Sequence, residues 1–345
     1  MNVFPRDDFI NALEASEHSE EFKQETLTYI DSLMWKDEGY PVIFSLKHFS
    51  QIVKINYKRL NEITKNRGKF YHTFEIQKRK GGTRPIDSPN KQLKYIQRWI
   101  ACNILERVPL ADTCTGFRKK LSIKNNAEFH AGQEWLLKID LMKFFETIHE
   151  KRVYHLFKKL GYHTNLCVDF AKLLTIDKGG KEGILPQGAP SSPLVSNIVA
   201  SKLDQRLMKL SENLSIKYSR YADDITFSGS NEPIPSIKVI NKIVQECGFK
   251  INFEKVSVRR KGQQQIVTGI SVANGIHVPR LFKRETWTHL YFCKRNGVEE
   301  HLQKRNIKNS AFKDWLLGRI HFINSIEPDV GGKMLFEFNQ IAWLI

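Results

Sequence analysis

Ile216-Lys-Tyr-Ser-Arg-Tyr-Ala-Asp-Asp-Ile-Thr-Phe-Ser228 is the stretch that decides how this chain folds. Alternating β-formers flank two adjacent carboxylates, Asp223 and Asp224, and the pattern predicts a tight hairpin with the acids at its tip. Neighbouring anions repel, so an acidic pair without a counter-charge is a poor way to stabilise a turn. A divalent cation relieves that repulsion, and Mg²⁺ is usually held by one or two carboxylates together with substrate phosphates. Taken alone, Tyr221 to Asp224 is equally readable as an exposed acidic turn. Its meaning depends on whether the chain also supplies a third carboxylate, a nucleotide pocket and a track for nucleic acid.

The charge distribution provides the track. The 345 residues carry a net charge of +17, which points to a polyanionic partner. Residues 1–38 hold 3 basic and 10 acidic side chains, whereas 54–107 and 255–319 each hold 14 basic and 4 acidic. Two basic regions thus flank a nearly balanced middle that contains the acidic tip, as walls gripping phosphate would flank a metal-bearing floor. At 41% apolar residues the composition is that of an ordinary globular protein, with length for two or three subdomains around a shared core. Five cysteines without Cys-x-x-Cys spacing argue against zinc and against a disulfide framework, and so for a reducing compartment. No basic segment leads into an apolar run at the start, and no stretch approaches the roughly 20 apolar residues of a membrane span. A cytoplasmic protein without membrane association is expected.

Residues 6–38 show helical apolar spacing on an acidic background, and residues 45–64 predict a second helical pair. Tyr71 to Ile76 alternates like a strand, and four cations between Lys78 and Arg84 surround a Gly-Gly turn. Close backbone approach at glycine and the planar fork of arginine make this basic hairpin a candidate triphosphate clamp. A helix is predicted from Leu93 to Val108. Trp135 to Asp140 reads as an apolar strand ending in a carboxylate, followed by a helix over 150–160; Asp140 is either a metal ligand at the strand's end or a helix cap. Three prolines and two glycines between Gly183 and Leu194 impose a fixed non-helical path. One helix is then expected over 193–210, with Ser191 or Ser192 as its N-cap. Strands are expected over 249–255 and 265–272, the latter turning at Ala273-Asn-Gly275, and a basic, aromatic helical segment follows Pro279. Asp140, Asp223 and Asp224 then stand at ends of strands that could be neighbours, and such carboxylates can hold two Mg²⁺ ions roughly 3.5–4 Å apart for nucleotidyl transfer.

In this arrangement the chain resembles the reverse transcriptase family. Tyr221-Ala-Asp-Asp224 is similar to the family's catalytic box and Ile139-Asp-Leu-x-x-Phe-Phe145 to its first metal-binding motif. Leu185-Pro-Gln-Gly-Ala-Pro-Ser-Ser-Pro193 is similar to its template- and nucleotide-positioning motif, and Lys80-Gly-Gly-Thr-Arg-Pro-Ile86 to its fingers motif. These motifs span about residues 70–275. Asn126-Ala-Glu-Phe-His130 and Val267-Thr-Gly269 resemble signatures of bacterial retron reverse transcriptases.

The resemblance implies an α+β right-hand polymerase. Its parts would be an N-terminal helical region (1–69), fingers with a basic hairpin (70–135), a palm (136–278, with a fingers insertion near 183–193) and a short helical, RNA-binding thumb (279–345). It implies Asp140, Asp223 and Asp224 as catalytic metal ligands, joined by the Leu141 carbonyl, for two Mg²⁺ ions or Mn²⁺ in their place. Lys80 and Arg84 would hold the triphosphate. Phe145 would exclude a ribose 2′-OH, and Gln187 would contact nucleotide and template. Lys255 stands where a lysine is proposed to protonate pyrophosphate. Asn126, His130, Arg280, Lys283 and Arg284 are the candidate RNA contacts. Lys143 and Glu146-Thr147 depart from the acid and proline that many relatives carry after the first aspartate.

A retron enzyme would bind a structured non-coding RNA, prime from an internal guanosine 2′-OH and consume dNTPs. Its product would be a branched RNA-linked DNA, msDNA, and it would act in antiphage defence with a separate effector protein. Two readings stay open beside it: another defence-associated or group II intron-like reverse transcriptase, and an RNA-binding scaffold that restrains an effector.

Overall fold

The computed structural model describes residues 4–35, 39–77, 81–179 and 182–343. Four helices open the chain: α1 (Arg6–Glu14), α2 (Glu20–Met34), α3 (Leu46–Ile52) and α4 (Tyr57–Lys65). Ser19, Ser45 and Asn56 accept hydrogen bonds from the first-turn amides of α2, α3 and α4, which sets where each helix starts. The strands β1 (Tyr71–Gln77) and β2 (Thr83–Pro89) form an antiparallel ribbon, with Ile76 opposite Arg84. Helix α5 (Lys91–Asn103) is capped by Asn90 and stops five residues short of the expected Val108; a 3-10 turn, Leu105–Arg107, follows, and Val108 is extended.

The middle of the chain runs through α6 (Ile123–Phe129), β3 (Trp135–Leu141), α7 (Glu150–Leu160) and α8 (Thr164–Leu174). The helix expected over 193–210 is two, α9 (Ser192–Val199) and α10 (Ser201–Asn213), broken at Ala200. Ser191 stands at the N-cap of α9 but its side chain makes no capping hydrogen bond, because its own backbone is already helical (φ −84°, ψ −24°). β4 (Lys217–Tyr221), β5 (Asp224–Gly229), α11 (Ile237–Glu246) and β6 (Ile251–Arg260) follow. The single strand expected over 265–272 is instead a small hairpin, β7 (Ile266–Val267) and β8 (Ile270–Ser271). Positive φ at Thr268 (46°) and Gly269 (85°) adds a reversal there, and the predicted turn at Ala273-Asn-Gly275 is also present, closed by reciprocal backbone hydrogen bonds between Ser271 and His277. The chain closes with α12 (Arg280–Asn296), α13 (Val298–Lys304), α14 (Phe312–Ile326) and α15 (Pro328–Asn339).

Two compact units emerge. The first comprises Met1–Phe117, Asp140–Met208 and Ser236–Asn252. Its core includes Phe49, Phe157 and Phe170, whose rings pack with centroids 5.1 Å (Phe49–Phe170) and 4.9 Å (Phe157–Phe170) apart. The second comprises Arg118–Ile139, Lys209–Pro235 and Phe253–Ile345. Its core joins Ala127 of α6 and Leu136 of β3 to Val267 and Ile270 of the small hairpin and to Leu290, Leu316, Ile320 and Met334 of the C-terminal helices. The four-stranded sheet has the order β4-β5-β3-β6, with β4 and β5 antiparallel. Gly229 ends β5 under the Trp135 ring, where an added Cβ would lie 2.7 Å from that ring, so only glycine fits. Among the described residues no helix is long and apolar enough to cross a membrane.

Candidate nucleotidyl-transfer site

The quoted stretch folds as β4, a two-residue turn and β5. Tyr221 pairs with Asp224, so Ala222 and Asp223 form the turn and Asp224 already belongs to the strand. Ala222 is left-handed (φ 58°), a conformation costing about 1–2 kcal/mol for a residue with a Cβ. The turn is held from within the fold. Arg220 is fully buried (0% exposed) and its Nη1 donates to the Ala222 carbonyl at 3.0 Å. The strands carry Tyr218, Ile225 and Phe227 into the core, while Asp223 and Asp224 stay half-buried. β3 lies beside β5 in the sheet, with Asp140 its penultimate residue and Leu141 its last. Asp140 is half-buried and does not cap a helix; α7 begins ten residues later, after His149.

Within the first unit, the chain after Asp140 turns tightly. Met142 N–H donates to the Lys250 carbonyl at 2.8 Å, and Lys143 adopts positive φ (49°). Phe145 is half-buried, its ring 5.6 Å from Phe144 and 6.3 Å from Phe117. Arg84 is exposed on β2, three residues before Asp87. Asp87 is 3% exposed and ties three segments together. Its N–H donates to the Gln187 carbonyl at 2.7 Å, Thr73 Oγ1 donates to its carboxylate at 2.8 Å, and Lys178 Nζ stands 3.0 Å away. The basic ribbon and the Pro-Gln-Gly loop are therefore one assembly. Gly188 has φ 130°, and a Cβ there would sit 2.8 Å from the Asp87 carbonyl oxygen. Lys80 lies outside the described residues. Lys255 is exposed on β6.

Two expected RNA contacts are corrected. Asn126 and His130 are 1% and 0% exposed, so neither offers a polar atom to an external RNA. Both belong to a buried hydrogen-bonded chain on the β4–β5 hairpin: His130 lies 2.7 Å from Ser219 Oγ and 2.7 Å from Ser228 Oγ, and Ser219 Oγ donates to Asn126 Oδ1 at 2.7 Å. Arg280 and Arg284 are exposed on the first turns of α12. Lys283 is engaged instead with Glu327, at 2.8 Å. The sequence pattern had not singled out Asp87, Arg220, Ser219 or Ser228. A charged or polar residue at a strand's inward-facing position is the only signal that could have marked them.

Among the described residues, no three His, Cys, Asp or Glu side chains gather closely enough to hold a metal ion by themselves. The donors that end β3 in the first unit, and those of the β4–β5 turn in the second, each suit Mg²⁺ in kind: they are all oxygen, and this ion takes few protein carboxylates, completing its octahedron with water and substrate phosphates.

The family model "Reverse transcriptase (RNA-dependent DNA polymerase)" matches residues 76–286. The chain is 31% identical to the retron Mx162 reverse transcriptase of Myxococcus xanthus over 79% of its own length and 61% of that protein's. It is 29% identical to the retron Ec86 reverse transcriptase of Escherichia coli, covering 80% of this chain and 87% of the relative. Against the retron Ec73 reverse transcriptase of the same species the figures are 30% identity, 79% and 88%. It thus spans less than two thirds of the Myxococcus relative and most of the two from Escherichia coli.

Proposed function

Because the chain belongs to the reverse transcriptase family, and within it to the bacterial retron type, we propose that it is the RNA-directed DNA polymerase of a retron. It copies part of a structured non-coding RNA into single-stranded DNA that remains joined to the RNA through a 2′–5′ branch. It acts in the cytoplasm, in antiphage defence, beside a separate effector protein. The observation that carries the reading is the Tyr221–Asp224 hairpin, braced by a buried arginine and lying inside the matched stretch 76–286.

In this reading residues 70–135 are fingers, 136–278 palm and 279–345 thumb. Asp140, Asp223 and Asp224, with the Leu141 carbonyl, hold two divalent cations, Mg²⁺ or Mn²⁺. When bound, these supply positive charge at the attacking hydroxyl and at the phosphate under attack. The chain's own residues do the positioning. Arg84, with Lys80, grips the triphosphate through charge-assisted hydrogen bonds. Phe145 occupies the volume a ribose 2′-OH would need and selects dNTPs. Gln187, whose backbone is pinned to Asp87, orients the nucleotide against the template. Lys255 donates a proton to the leaving pyrophosphate. Arg280 and Arg284 contact RNA phosphate, with the exposed ring of Tyr291 on the same helix.

The test is extension by the purified protein with its cognate RNA, dNTPs and Mg²⁺. The expected product is DNA that stays attached to RNA until a 2′–5′ debranching nuclease releases it. Asp223→Ala or Asp224→Ala should abolish it. Absence of DNA from wild-type protein bound to its RNA would overturn the polymerase reading. DNA lacking the branch would overturn the retron priming alone.

A further inference from the structure

The Asn-Ala-x-x-His segment has no role in the reaction as derived so far, yet it sits against the hairpin that carries two of the three carboxylates. We propose that His130 is a positioning residue: its neutral ring staples β4 to β5 and fixes the stance of Asp223 and Asp224. The proposal rests on the polymerase reading and adds a residue to it.

The hydrogen bonds have one consistent direction. Ser219 Oγ gives its only proton to Asn126 Oδ1, so it can only accept from the ring. His130 Nε2 must then carry the proton and donate to Ser219 Oγ at 2.7 Å. Nδ1 is left as an acceptor, and Ser228 Oγ donates to it at 2.7 Å. The chain runs from Ser228 through His130 and Ser219 to Asn126, every member buried. Burial, reinforced by the nearby Lys217 ammonium, lowers the ring's pKa to about 3, in keeping with a ring that is neutral throughout the working range.

Register shows what the staple holds. Lys217 pairs with Ser228 and Ser219 with Thr226, so Ser219 and Ser228 lie diagonally across the ladder. Alternation puts both on the face that also carries Tyr221 and Asp224. Ser219 is two residues from Tyr221, about 7 Å along the strand. A slip between the strands would move the Ala222–Asp223 turn directly, and that turn already contains an unfavourable positive φ. Diagonal bonds from one rigid ring oppose such a slip.

The helix that His130 follows, as its C-cap residue, is itself anchored. Ser122 and Asn125 form a reciprocal cap at its start. Thr268 Oγ1 donates to the Ile123 carbonyl at 3.1 Å, Gly132 N–H donates to the Val272 carbonyl at 2.9 Å, and Ala127 packs into the core with Val267. The Val-Thr-Gly segment therefore braces the helix that braces the hairpin.

The experiment compares His130→Leu, His130→Gln, Ser219→Ala and Ser228→Ala on a primed RNA template, with active sites titrated so that unfolded protein does not count. The wild-type activity tests the polymerase reading; the ratios to wild type test the staple. His130→Leu should lower kcat by about 10- to 100-fold, the scale of a small misplacement of catalytic groups, and raise the Mg²⁺ midpoint severalfold with little change in dNTP KM. The serine variants should fall between, and Gln, which keeps one donor, should recover part of kcat. Histidine-selective ¹⁵N spectra of the wild type should show the Nε2–H tautomer. Unchanged kcat per active site and unchanged Mg²⁺ midpoint in both serine variants would overturn the proposal, as would the Nδ1–H tautomer. If His130→Leu fails to fold, the serine variants decide.

Discussion

Gly188→Ala should damage both the stability of the first unit and the use of dNTPs. Gly188 has φ 130°, where a residue with a Cβ is strained by about 1–3 kcal/mol. The new Cβ would also stand 2.8 Å from the Asp87 carbonyl oxygen and 2.9 Å from Ile86 Cγ2. Backbone cannot swing aside as a flexible side chain would. The loop must retreat by several tenths of an ångström, and the contact nearest to it is the 2.7 Å bond from Asp87 N–H to the Gln187 carbonyl. Losing that bond at a buried residue adds about 1–3 kcal/mol, for a total of about 2–6 kcal/mol. Differential scanning calorimetry should register this as a fall in Tm of roughly 5–15 °C. Because Gln187 moves with the loop, KM for dNTP should rise about tenfold, while binding of a labelled RNA changes little. The control is Gly262→Ala: φ is 85° there, but nothing lies within 4 Å of the added Cβ, so only the conformational cost of about 1–2 kcal/mol applies. Equal Tm shifts for the two variants, or a Gly188→Ala enzyme with wild-type dNTP KM, would refute the reasoning.

Phe145→Ala should open the nucleotide pocket to a 2′-OH and raise the rNTP-to-dNTP ratio of kcat/KM by about 10- to 100-fold, read from single-nucleotide extension; an unchanged ratio would remove Phe145 from that role. Arg67 Nη2 and Glu150 Oε2 form a 2.6 Å ion pair between side chains 9% and 20% exposed, and among the described residues the buried Arg67 Nη1 has no hydrogen-bond partner. Glu150→Ala leaves the guanidinium buried and unpaired and should destabilise by about 3–5 kcal/mol in denaturant titration, whereas Arg67→Met with Glu150→Met should recover much of that loss. Burial raises the Glu327 carboxyl's pKa, but hydrogen bonds from Lys283 and the Val278 N–H outweigh it, and the folded value lies below the ordinary one. Its contribution is therefore complete above the ordinary carboxylate range and is lost as pH falls through the lowered value. Wild-type Tm should drop more steeply than that of Glu327→Gln as pH goes from about 5 to 3. Parallel Tm curves would contradict the sign.

The β4–β5 hairpin was legible because period-2 alternation, a polar tip and an ordinary register coincide in one short stretch. Asp140 was legible as the carboxylate ending an apolar strand. Helix boundaries were less so. α5 ends at Asn103 although Ile104, Leu105 and Val108 continue the apolar pattern, because Leu105–Arg107 tightens into a 3-10 turn. The turn at Thr268–Gly269 was hidden inside what reads as a continuous strand, since Thr and flanking Ile and Val all favour extended backbone. The buried role of Asn126 and His130 could not be seen either: a polar pair on a short helix reads the same whether it faces RNA or another strand's serines.

What the sequence determined by itself was the set of motifs that places the chain in the reverse transcriptase family. The identity and order of the carboxylates, the basic hairpin and the Pro-Gln-Gly loop depend on local patterns and on which side-chain types can bind metal and phosphate. Tertiary structure alone decided which polar groups brace those motifs. Asp87 with Gln187, and His130 with Ser219 and Ser228, are separated by 89 to 100 residues in the chain and are matched only by folding. The reason is physical: a buried polar group must find a partner wherever packing brings one, and its sequence neighbours carry no record of which partner that is.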